Sequence, residues 1–182
     1  MVTAGLICVL RQGRHRYHRL ASLEVAQMME SIMLVASSSS PIPSKISVGP
    51  RDTALRAGRT CYDHLAGRLG VALADALVMG GHVELKDDVG LVTNGGMALF
   101  DEIGIDMGAL LARRVKRSKR VLCRPCLDWS ERRPHLAGVV GAELCAHSFT
   151  NGWIHRIDGT RAVTVTPKGR SVFREKLGMR LE

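Results

Sequence analysis

The chain of 182 residues lacks any apolar run long enough to cross a bilayer: the opening stretch from Val2 to Leu10 falls well short of the roughly 20 residues a spanning helix needs. A secretion signal carries positive charge ahead of its apolar run, whereas here the arginines follow it. Neither a membrane span nor a secretion signal is therefore expected, and the expected location is cytoplasmic. Cysteine is sparse and scattered, five in all, which reads as reduced intracellular thiols rather than a disulfide framework. No phosphate loop, nucleophile motif or paired-carboxylate signature occurs, so neither catalysis nor a cofactor is expected. Acidic side chains are the minority, 17 against 26 basic ones, and the net charge of +9 favours an anionic partner, nucleic acid or an acidic surface. What is present suffices for a core: 46% of residues are hydrophobic and 24% charged, enough for one domain or two small ones.

The positive charge gathers first in LRQGRHRYHRL, from Leu10 to Leu20, which holds four arginines and two histidines. Leu6 to Leu10 suits a short strand, Gln12-Gly13 offers a turn, and the alternation after it puts Arg14, Arg16 and His18 on one face with Tyr17 on the other. A two-stranded hairpin with a basic tip is predicted. Ser22 stands at an N-cap position, Glu24 in the first turn, and Val25, Met28, Met29, Ile32 and Met33 recur at helical spacing. Arginines on such a hairpin can grip DNA phosphates through charge and forked hydrogen bonds, or they can form a solvated edge that discourages strand pairing.

The segment MVTAGLICVLRQGRHRYHRLASLEVAQMMESI resembles the end of a winged-helix domain of the arsenical-repressor (ArsR) type, from the last turn of the recognition helix through the wing to the next helix. That resemblance implies a bacterial transcription regulator, a homodimer on double-stranded operator DNA. It further implies a wing role for Arg11, Arg14, His15 and Arg16 against the DNA backbone or minor groove. The helix-turn-helix of that family precedes the stretch resembling VTAGLI, so the chain reads as an amino-terminally truncated form with base-reading residues upstream of Met1. Residues 1–35 are accordingly assigned to a remnant DNA-binding domain, a wing plus a dimer helix. The methionine stripe Met28, Met29 and Met33 suits either a dimer interface or an ordinary core.

Residues 36–52, with the run SSSSPIPSKISVGP, read as a linker. Beyond it the chain repeats itself, in copies of about 53–107 and 121–180. Arg59, Cys61 and Asp63 match Arg124, Cys126 and Asp128; His64-Leu65-Ala66-Gly67 matches His135-Leu136-Ala137-Gly138. Further on, Gly70 matches Gly141, Gly81-His82-Val83 matches Gly152-Trp153-Ile154, Val92-Thr93 matches Val165-Thr166, and Phe100 matches Phe173. Each copy reads as helix, hairpin and second helix, the last capped by Thr93 or Thr166 with Pro167 at its first position. Apolar stripes of Leu65, Leu69, Leu73 and Leu77 in one copy, and Leu136, Val139, Val140 and Leu144 in the other, predict that the copies bury against each other. The predicted class is α+β and helix-rich: a partial winged helix, then two repeated helix-hairpin-helix units that are winged-helix-like. RTCYDHLAGRLG and CLDWSERRPHLAG also resemble the carboxy-terminal extension of a subgroup of ArsR-type regulators.

Several side chains admit two readings. Cys123 and Cys126, with His135 nearby, have a spacing known from zinc sites, but one pair is half of a four-ligand set, and Cys123 matches Gly58 in the other copy. Buried thiols are preferred and no metal is expected. His64 and His135 read as starting helices, where imidazoles cap backbone groups or meet an anion. Asp63 and Asp128 are expected to pair with Arg59 and Arg124. Cys61, His64, Cys126, Trp129 and His135 together outline a pocket for a small-molecule effector, with Trp153 as an alternative lining residue or core anchor. The run Arg113, Arg114, Lys116, Arg117, Lys119 and Arg120 is either a phosphate-following helix face or a solvated connector. Two functions are thus carried forward: a DNA-binding regulator of the ArsR type acting as a repressor, and a ligand-binding or protein-interaction module without specific DNA binding.

Overall fold

The computed structural model describes residues 1–12, 15–38, 53–86, 89–117 and 120–180; within these, the side chains of 10–17, 23, 30, 33–34, 36–38 and 113–117 stand outside the description. The chain divides into two compact units, Met1–Lys45 and Ile46–Glu182.

In the first unit, β1 (Ile7–Gln12) and β2 (His15–Leu20) pair antiparallel from Ile7 opposite Leu20 to Gln12 opposite His15. The hairpin predicted from the alternation is present, and its register sets Arg11 directly across from Arg16. Helix α1 (Leu23–Ser38) follows, and the Val25 N–H donates to Ser22 Oγ at 3.4 Å, as expected of an N-cap. Met28, Met29, Ile32 and Val35 on this helix are exposed, while Ala26 is buried. Of the predicted linker, residues 39–52 lie outside the described residues.

The second unit opens with a short helix α2 (Thr53–Ala57) and then runs β3 (Arg59–Cys61), β4 (His64–Ala66), α3 (Gly67–Met79), β5 (Val83–Lys86), β6 (Val89–Val92) and α4 (Asn94–Glu102). After α5 (Met107–Arg117) the same order returns: β7 (Arg124–Leu127), β8 (Pro134–Ala137), α6 (Gly138–Thr150), β9 (Ile154–Arg156), β10 (Val163–Val165) and α7 (Pro167–Leu177). Each half therefore has a hairpin ahead of its first helix, which the sequence reading missed. The cause is local. His64-Leu65-Ala66 and His135-Leu136-Ala137 look like helix starts, but Gly67 and Gly138, with φ of +75° and +87°, interpose a left-handed residue between strand and helix. A Cβ at either glycine would lie 2.8 Å from a backbone carbonyl oxygen, that of Arg56 or of Leu122. The extra residues of the second half fall in the connection between β7 and β8.

The second hairpins lead into helices capped as predicted: Thr93 Oγ1 accepts from Gly96 N–H and Thr166 Oγ1 from Gly169 N–H, each at 3.0 Å. Each half lays its parts on the other. Helix α3 packs on β8 and α6 on β4. Val163 N–H donates to the Gly58 carbonyl beside β3, and Gly90 N–H in β6 donates to the Cys123 carbonyl beside β7. One hydrophobic core results, drawn from both halves and centred on Leu69, Leu73 and Leu77, Val140 and Leu144, and Phe100 and Phe173. Large apolar side chains buried this way contribute roughly 1.5 to 3 kcal/mol each. The fold is mixed α and β, with seven helices and small two-stranded antiparallel sheets among the described residues. No helix among them is long and apolar enough to cross a membrane.

Candidate functional site

The interlocking of the two halves brings the hairpins β3–β4 and β7–β8 together, and with them four matched side chains. Cys61 ends β3, His64 begins β4, and Cys126 and His135 occupy the corresponding strands β7 and β8. Their ligand-type atoms all lie within 4.8 Å of one another. At the middle, His64 Nε2 and His135 Nε2 are 3.1 Å apart, with ring centroids at 5.0 Å. Both imidazoles are 1% exposed and Cys126 is 3% exposed. Close packing is possible because Gly70 and Gly141 are bare: a Cβ on Gly70 would reach 3.5 Å from the His135 Cβ, one on Gly141 would reach 3.5 Å from the His64 Cβ, and each would clash at 2.4 Å with a carbonyl.

A shell of charge surrounds the four. His64 Nδ1 lies 3.1 Å from Asp63 Oδ1, and Asp63 in turn accepts from Arg120 Nη1 at 2.6 Å and Nη2 at 3.0 Å. His135 Nδ1 faces Asp128 Oδ2 at 3.6 Å, too long for a hydrogen bond. Asp128 also accepts from Arg59 Nη2 through both oxygens at 2.9 Å, from Gly67 N–H at 2.6 Å and from Ser130 Oγ at 2.7 Å. Arg59 and Asp128 are almost wholly buried, and the guanidinium stands 5.3 Å from the centre of the half-buried Trp129 ring.

These contacts set the ionisation of the site. Burial acts to raise the Asp63 carboxyl, but hydrogen bonds from His64 and Arg120 outweigh it and bring it down to about 2. For Asp128 burial is likewise outweighed, by the Ser130 and Gly67 hydrogen bonds and the Arg59 charge, and the carboxyl lies well below its usual range. A hydrogen bond with Cys126, aided by His135 and His64, pulls the Cys61 thiol down against the cost of burial. Burial also favours the neutral form of His135. Cys123 and Cys145, buried without such partners, are pushed up to about 12 and about 11.

Several sequence expectations are corrected by this geometry. His64 and His135 cap no helix; the N-cap positions of α3 and α6 belong to Ala66 and Ala137, without side-chain caps. The arginine–aspartate pairing crosses between the halves: Arg59 holds Asp128, Asp63 is held by Arg120, and Arg124 donates to the Pro125 carbonyl. Arg120 thereby turns from the basic run toward the site, while the side chains of Arg113, Arg114, Lys116 and Arg117 lie outside the description, as does Lys119 altogether. Cys123 is buried but stands apart from the four-residue cluster. Trp153 is a core residue, edge-on to His147 and Phe173, whereas Cys61, His64, Cys126 and His135 converge and the Trp129 ring lies against Arg59. Of the predicted wing residues, Arg11, His15 and Arg16 occupy strand positions with undescribed side chains, and Arg14 falls outside the described residues.

Over its full length the chain is 36% identical to the HTH-type transcriptional regulator YdfF of Bacillus subtilis (strain 168), across 181 residues that make up 77% of that protein. No protein-family model matches the chain, and no solved structure matches it.

Proposed function

The chain belongs to the HTH-type transcriptional regulators, and from that premise we propose that it is a DNA-binding repressor of the ArsR type, working as a cytoplasmic homodimer and catalysing no reaction. The full-length likeness to a regulator carries this reading. Support comes from the hairpin, whose register makes Arg11 and Arg16 paired strand positions within the arginine-rich stretch Leu10 to Leu20. The net charge of +9 draws the chain toward a run of phosphates. Contacts of this kind fix position on the duplex without reading bases.

The dimer is supported by α1, whose Met28, Met29, Ile32 and Val35 leave an apolar row in contact with solvent. A second copy of the same helix covers such a row with a self-complementary surface. The duplicated unit is then the regulatory part, where an effector acts by changing how two wings are spaced.

Light scattering combined with a gel shift tests the proposal. Two chains per particle, and retardation of an arbitrary duplex at low salt, are expected. A folded protein that leaves duplex DNA unshifted at low salt contradicts the DNA role and favours the ligand or protein-interaction module.

A further inference from the structure

We propose that Cys61, His64, Cys126 and His135 bind one zinc ion per chain, each half of the repeat giving one thiolate and one imidazole. The donor set is complete, two sulfurs and two nitrogens from four residues whose ligand atoms already lie within 4.8 Å of each other. Zinc binds such sets tetrahedrally, with Zn–N of about 2.0 Å, and two nitrogens across that tetrahedron are about 3.3 Å apart. The observed Nε2 to Nε2 separation is 3.1 Å. Little movement is needed to admit the ion between them.

The imidazoles are also turned correctly. Each presents Nε2 inward and Nδ1 toward a carboxylate of its own half, Asp63 at 3.1 Å and Asp128 at 3.6 Å. An aspartate behind a histidine fixes the tautomer that leaves the opposite nitrogen free to ligate and strengthens it as a donor. For His64 the contact is of hydrogen-bond length, while for His135 the carboxylate stands beyond that length and acts on the ring by its charge. The carboxylates are themselves held by Arg120 and Arg59.

Thiolate with imidazole disfavours magnesium and calcium, which take oxygen, and suits zinc. Four protein ligands leave no open position, which makes this a structural site rather than a catalytic one. Zinc here ties β3–β4 to β7–β8 at the axis of the repeat; the thiol protons go to solvent on binding, with no change in oxidation state. The proposal stands on this geometry alone and is independent of the DNA reading.

The test uses the full chain, expressed with zinc available, kept reduced, and gel-filtered before elemental analysis. One zinc per chain is expected, and chelation should lower the thermal midpoint. Cobalt(II) offered to the chelated protein should give the intense visible bands of a tetrahedral site together with thiolate charge transfer. Cys126→Ser should abolish the charge-transfer band or halve it, Cys123→Ala should retain it, and Asp63→Asn should weaken metal affinity about tenfold or more. Folded, reduced wild-type protein that takes up neither zinc nor cobalt overturns the proposal, as does a cobalt spectrum without thiolate charge transfer. The wild-type titration decides the matter even where a variant fails to fold.

Discussion

Arg59 in β3 and Asp128 just after β7 are 69 positions apart, yet one guanidinium nitrogen lies 2.9 Å from each carboxylate oxygen, with side chains 2% and 0% exposed. Removing one partner of such a pair strands the other in the interior. Asp128→Ala leaves the Arg59 charge, the Gly67 N–H and the Ser130 hydroxyl without their acceptor and should cost about 3 to 5 kcal/mol. Urea unfolding at neutral pH measures it; a loss below about 1 kcal/mol would show that water enters and replaces the contact.

Acid should loosen the same unit. Asp63 and Asp128 both have carboxyls lower in the fold than the ordinary aspartate value of about 3.9. Their contribution is therefore fully present above that value and is lost as pH falls through it toward about 2. Urea midpoints taken on descending pH should fall over this window, and Asp63→Asn should flatten the fall. A flat wild-type profile would contradict the ion-pair geometry.

The caps at Thr93 and Thr166 serve matched helices with matched 3.0 Å bonds. Thr93→Ala and Thr166→Ala should each lower stability by about 1 kcal/mol, and Thr166→Gly by less. Unequal losses would indicate that one of the two helix starts is held by other contacts.

Thiol chemistry should sort the cysteines. In metal-free, reduced protein Cys61 is partly exposed with a depressed thiol, whereas Cys123 and Cys145 are buried and raised to about 12 and about 11. Since the thiolate is the reacting form, alkylation followed by peptide mass mapping should find Cys61 modified at least about ten times faster than either. Equal rates would mean that the hairpins separate readily.

Much of this organisation is legible in the sequence, and the remainder has identifiable causes. The hairpin ahead of α1 and the Ser22, Thr93 and Thr166 caps follow from alternation and cap residues. The hairpins β3–β4 and β7–β8 were hidden because three-residue strands carry little periodicity and Gly67 and Gly138 mask the boundary with the helix. The convergence of Cys61, His64, Cys126 and His135 had a signal, their equivalence between copies, but equivalence alone does not say that the copies meet face to face at those residues. The Cys123-Arg124-Pro125-Cys126 spacing lies within one copy, while the cluster draws Cys61 and His64 from the first half and Cys126 and His135 from the second. The same exchange redirects Arg59 from Asp63 to Asp128, a pairing between residues 69 positions apart.

The central claim, that this chain grips duplex DNA through its basic hairpin, is tested most directly by the salt dependence of binding. Fluorescence anisotropy of the full chain with an arbitrary labelled duplex, over a series of salt concentrations, gives the slope of log affinity against log salt. A straight, steep fall is predicted, with about 0.9 of slope for each phosphate neutralised, and replacing Arg11, Arg14 and Arg16 together by alanine should remove about three contacts' worth. Absence of binding at low salt, or a slope that the triple replacement leaves unchanged, would contradict it.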